Sequence, residues 1–274
     1  MKRSSGVRLS ATTVVSVLSL ALVTGCSGSG PDDSKDSGNS GAASAAPAAK
    51  ALGAAELKKL IIADGDVKGY EVRSADTAEP FAGSKGAMTV TDAACEPIAY
   101  VLTGFAPGDD ESAYVNQAVT EKPDAQAGPG PDENSSDEEF EEALEAVEDS
   151  LSSTVTIVSL SSYEGDGAEA AMKSVSTAVD GCAGGFTAAA KGQDTQEFTK
   201  VAEEKSSGTG DESVAFAVTG RVEGGGTTAV HAEVVRHGTT VATYYSLNLA
   251  ALAGEKSTYT IPAEVVQAQA AKLG

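Results

Sequence analysis

Between Thr195 and Leu247 the apolar residues stop recurring every three or four positions and begin to alternate, and no other feature limits the possible folds as much. The alternation falls in four runs: Gln196 to Ala202, Ser213 to Thr219, Thr228 to Arg236 and Thr239 to Leu247. Gly224-Gly225-Gly226 and Arg236-His237-Gly238 lie between them, the second short enough for a tight hairpin. The expectation is an antiparallel meander.

The remaining chain must supply what packs on that sheet. Thr154-Val155-Thr156-Ile157-Val158-Ser159-Leu160 is rich in β-branched residues and predicts a strand, and Tyr70 to Arg73, Met88 to Val90 and Ser112 to Val119 predict shorter ones. Helical spacing appears in Leu57, Leu60 and Ile61, in Ile98, Val101 and Leu102 behind Pro97, and in Met172, Val175, Val179 and Cys182 ahead of Gly184-Gly185. A last helix with Val265, Val266 and Ala270 follows Ile261-Pro262. After an exposed loop from Pro123 to Ser136, the Ser136/Glu139 capping box and the Phe140, Leu144, Val147, Leu151 stripe predict a helix from Asp137 to about Ser150. Together these give an α+β fold, an antiparallel sheet with helices packed mainly on one face.

The N-terminus determines where this fold must exist. Lys2, Arg3 and Arg8 precede an apolar run from about Val14 to Val23, the layout of a secretory signal and too short to span a bilayer comfortably. Val23-Thr24-Gly25-Cys26 resembles a bacterial lipobox, and that resemblance implies a diacylglycerol thioether on Cys26, cut free of residues 1–25. An ordinary secretory signal or an N-terminal anchor is the plainer alternative. Residues 26–53 hold almost no large apolar side chain, so a disordered, lipidated tether is expected, followed by one α+β domain over residues 54–274.

Export sets the redox context for the cysteines. Three are present, and with Cys26 assigned to the lipid, Cys95 and Cys182 have one intramolecular pairing left in an oxidising compartment. One disulfide is therefore expected, since their spacing suits neither a CxxC redox motif nor zinc.

Charge narrows the partners. A formal net charge of −21 repels phosphate backbones, so nucleic acid is not an expected partner, and the membrane is reached through the lipid rather than through its headgroups. Glu138, Glu141, Glu142, Glu145 and Glu148 read as the solvated face of a helix, without the Asp-x-Asp-x-Asp-Gly order of a calcium loop. No metal and no cofactor are expected.

Several segments together resemble the extracellular sensor-type domain of actinobacterial PknH-like kinases and of related surface lipoproteins. They are Leu57-Lys58-Lys59-Leu60-Ile61-Ile62 ahead of Gly69-Tyr70, then Ala94-Cys95-Glu96-Pro97-Ile98, then the Ala-rich helix ending in Asp180-Gly181-Cys182, and finally Val234-Val235-Arg236-His237-Gly238. The resemblance implies a sensor-like or ligand-binding module, without catalytic activity, on the outer face of the cell membrane.

The residues themselves agree. The two histidines, His231 on a predicted strand and His237 in the turn after it, suggest no shared site, and neither a Gly-x-Ser-x-Gly elbow nor a Walker loop occurs. The expected function is a lipid-anchored, extracytoplasmic, non-enzymatic binding or sensor-like module taking a small molecule or an envelope protein. The rival is a scaffolding lipoprotein that recruits envelope proteins. Tyr244 and Tyr245 are candidate ligand contacts, one facing the core and the other solvent.

Overall fold

The computed structural model describes residues 49–75, 83–122, 136, 153–222, 225–254 and 257–274. The signal (1–25), Cys26, nearly all of the tether and the helix expected over 137–150 lie outside the described residues. Among those described, nine strands form one sheet: β1 (Tyr70–Ser74), β2 (Met88–Val90), β3 (Glu111–Glu121), β4 (Thr154–Tyr163), β5 (Phe186–Ala190), β6 (Gln196–Glu204), β7 (Glu212–Arg221), β8 (Thr227–His237) and β9 (Thr240–Asn248). The helices are α1 (Ala54–Leu60), α2 (Glu96–Val101), α3 (Gly167–Gly181), α4 (Leu249–Leu252) and α5 (Ala263–Leu273). The spatial order is β1-β3-β4-β9-β8-β7-β6-β5-β2, with every neighbouring pair antiparallel. The α+β class and the antiparallel meander are thus observed, and the meander β6 to β9 forms four of the nine strands of a wider sheet.

Side chains alternate across a sheet, so the register assigns each residue to a face. Val158 pairs with Tyr244 and Leu160 with Ala242; these pack under Leu57 of α1 and Val265 and Val266 of α5. Phe216, Val218, Ala232, Val234 and Val241 point the other way, under Ile98 of α2 and Met172, Val175 and Val179 of α3. The helices therefore divide: α2 and the longest helix, α3, cover the half toward β6 on one face, whereas α1 and α5 cover the half toward β1 on the other. β4 lies where the two halves overlap, which explains why Ile157 and Val158, on opposite faces, are both buried. Fully burying each such side chain contributes about 1.5–3 kcal/mol.

Burial of β4 on both faces also encloses polar side chains, and each has a partner. Thr156 Oγ1 and Ser246 Oγ lie 2.7 Å apart, Ser159 Oγ donates to Gly104 O at 3.0 Å, and Ser162 Oγ accepts from Leu52 N at 2.9 Å. The first and last helices are joined in the same way. Ile61 leaves helical geometry at ψ 147°, and fully buried Gln269 accepts from Ile62 N at 2.9 Å while donating to Leu60 O at 3.0 Å. The C-terminal helix thereby satisfies backbone groups left open at the end of α1.

Two carboxylates add to the attachment of α5. The Lys272 ammonium, 2.5 Å from Asp66, and then the Ala63 N–H hold the Asp66 carboxyl below its ordinary value. Glu264 is likewise held down, first by a backbone N–H and then by the Tyr70 hydroxyl at 2.7 Å. The unfolded chain takes up these protons first as pH falls, so this stabilisation is complete above about pH 5 and is lost progressively below it. Thermal melts should show the midpoint falling from pH 5 to pH 3, with a shallower fall in a Lys272→Ala variant; equal slopes would remove Asp66 from the account.

The expected disulfide is present. Cys95, the residue before α2, and Cys182, directly after α3, are joined with Cα atoms 6.0 Å apart. Both are buried, so the bridge fastens the two helices of one face from inside the core.

Candidate functional site

Alternation in β6 places Gln196 and Phe198 on the α3 face, and pairing sets Phe198 beside Gly220 of β7 and Gly220 beside Thr228 of β8. In this row the middle position has no side chain. A Cβ added to Gly220 would meet Phe198 Cδ1 at 3.4 Å, so bare backbone is what leaves the ring edge uncovered. The result is a hollow of about 570 Å³ at the end of the sheet. Phe198, Val222, Val230 and Leu252 of α4 give it an apolar side; Asp194 and Thr195 of the β5–β6 connection and Gln196 at the start of β6 give it a polar one, and the Glu197–Arg221 ion pair also borders it. Its volume falls within the range typical of small-molecule sites, roughly 300–1,000 Å³.

Two features fix Phe198. Its ring packs on Phe186 of β5 with centroids 4.8 Å apart and planes 38° from parallel. Beyond it the chain after α3 touches the β6 backbone at Gly185, which has φ +89°, and a Cβ there would lie 2.2 Å from Phe198 O. Only glycine permits that approach. The register then shifts between Phe198 and Lys200, a bulge that ends the regular ladder beside the ring.

Two other openings are smaller or more polar. Glu197 and Arg221, one position along from Phe198 and Gly220 and so directed to the opposite face, form an ion pair at 2.8 Å beside an opening of about 470 Å³ that Thr187 and Thr199 also line. A cleft of about 260 Å³ between α2 and α3 is bounded by Glu96, Tyr100, Asp109, Asp110 and Tyr163. Lys85 lies near it, 2.9 Å from Glu111 and 5.0 Å from the centre of the Tyr100 ring. Burial pushes the Tyr163 hydroxyl up to about 12.

The residues singled out by sequence are distributed differently. Tyr244 is wholly buried under α5, and burial, with the nearby Glu233 carboxylate, raises its pKa strongly. Tyr245 faces the α3 side and is pushed up by burial to about 12, so neither ring projects freely from the sheet. His231 Nδ1 lies 2.9 Å from Glu204, and its ring stands edge-on to Tyr259. His237 is the last residue of β8, paired with Thr240, rather than part of the turn. The two histidines share a face but stand about 20 Å apart along the strand. No group of three or more His, Cys, Asp or Glu side chains suited to a metal occurs among the described residues, and no helix among them is long and apolar enough to cross a membrane. Phe198 and Gly220 were not singled out by sequence, since the hollow depends on a pairing 22 residues apart.

No family model matches the sequence, and none of the curated proteins is similar to it. Among solved structures, the chain is similar to the crystal structure of the extracellular domain of PknH from Mycobacterium tuberculosis. The TM-score is 0.43 at 14% identity, with 82% of this chain and 95% of that chain covered.

Proposed function

We propose that the chain is a lipid-anchored extracytoplasmic module that binds a ligand without transforming it. The hollow over Gly220 carries this reading: it is concave, preformed and lined by one apolar and one polar wall. The buried Cys95–Cys182 bridge supports export, because such bonds persist in oxidising compartments.

A protein-recruiting role is the second reading, favoured by Leu249 and Leu252, which are 38% and 42% exposed on α4. Two measurements separate the possibilities. Cys26→Ser should move the protein from the membrane fraction to the medium; retention in the membrane would refute the lipid. Native mass spectrometry of the secreted form should then show a bound small molecule lost on denaturation, whereas a bare protein that crosslinks to an envelope protein through α4 would favour recruitment.

A further inference from the structure

Resting on the binding-module reading, we infer that the hollow takes a neutral glycan, with the apolar face of a sugar ring against the wall formed by the Phe198 edge, Val230 and Leu252 and its hydroxyls toward Gln196 and Thr195. The inference rests on how the two walls are arranged. A sugar ring has one face of C–H groups and a rim of hydroxyls that both donate and accept hydrogen bonds, so it needs an aromatic or aliphatic surface opposite amide and hydroxyl groups. Gln196 and Phe198 alternate onto one face of β6, so an amide and an aromatic ring stand two residues apart at the hollow. An amide offers two donors and an acceptor, matching hydroxyls of either orientation. Thr195, with its hydroxyl, precedes Gln196 on the polar wall, and both residues are exposed.

The other observations exclude competing ligand classes. An anionic ligand would meet Asp194 at the rim and a chain of net charge −21, and Arg221, the one cation among the described residues of the lining, is already paired with Glu197 at 2.8 Å. A fully apolar chain would leave one wall unmatched, because Asp194, Thr195 and Gln196 would lose water without gaining partners. Gly220 supplies the flat floor that lets a ring approach the Phe198 edge. A Gly220→Val substitution would fill the hollow while suiting the strand.

The test uses the full mature chain in nanodiscs, titrated separately with tetra-N-acetylchitotetraose, maltotetraose and a neutral monoacylglycerol while backbone amide shifts are followed by NMR. The expected result is saturable perturbation of Gln196, Phe198 and Gly220 by at least one tetrasaccharide, weakened about tenfold or more by Gln196→Ala and abolished by Gly220→Val. Gln196 is exposed, so its variant should fold normally and a loss of binding cannot be ascribed to unfolding. If the monoacylglycerol alone perturbs these residues, the glycan inference is overturned and the binding-module reading stands. If none of the three does, and native mass spectrometry finds no bound mass, both are overturned.

Discussion

Replacing Cys95 and Cys182 together with alanine is expected to lower the stability of the domain by about 4 kcal/mol, within the 2–5 kcal/mol typical of native bridges in secreted proteins. The two cysteines are 87 residues apart, and closing so long a loop removes much of the unfolded chain's freedom. The native side adds to this. Both sulfurs are buried in the core formed by Ile98, Met172, Val175 and Phe186, so alanines would also leave unfilled volume between α2 and α3. Urea titration of the wild type, of the wild type under reductant and of the double variant measures the effect. Reduction alone should give most of the loss, and a shift under 1 kcal/mol in either case would show that the bridge contributes little.

Gly185→Ala is expected to cost about 3 kcal/mol and to disturb the hollow specifically. At φ +89° an alanine bears a left-handed penalty of about 1–2 kcal/mol, and its Cβ would fall 2.2 Å from Phe198 O and within 3 Å of Thr199 backbone atoms. These contacts are with backbone, so β6 itself must move, and overpacking of that kind adds about 1–3 kcal/mol. Gly184→Ala is the control, since a Cβ there meets nothing within 4 Å. Chemical denaturation of both variants, together with the amide shifts of Phe198 and Gly220, gives the answer; matching melts for the two would show that the close approach is not rigid.

Much of the fold was legible in the sequence because its strands carry alternating or β-branched side chains and its longest helix an apolar stripe. β6 to β9 alternate, β4 is β-branched, and α3 places Ala171, Met172, Val175, Ala178 and Val179 on one buried stripe. β5 was missed because Phe186-Thr187-Ala188-Ala189-Ala190 has only one large apolar residue and resembles the end of the alanine-rich helix before it. The four residues of α4 are too few for a helical period to show. The division of helices between the two faces had a signal in β4, where Ile157 and Val158 are adjacent and apolar, a pattern that one-sided burial does not produce. The hollow had none. Its floor is an absent side chain, and the ring beside it is brought there by pairing with a distant strand.

The adjacency of β4 and β9 has a consequence in time. Thr154 to Ser162 find their partners in Thr240 to Asn248, 78 to 94 residues later, while β3, on the other side of β4, is its nearer neighbour in the chain. A chain synthesised from its N-terminus therefore presents one completed edge and one bare edge of β4 until almost all of it has emerged. Cys95 and Cys182 both emerge well before β9, so oxidation can join α2 to α3 while the sheet beneath them is still half made. Pairings of such long range form slowly. The covalent link would thus precede the sheet that buries it.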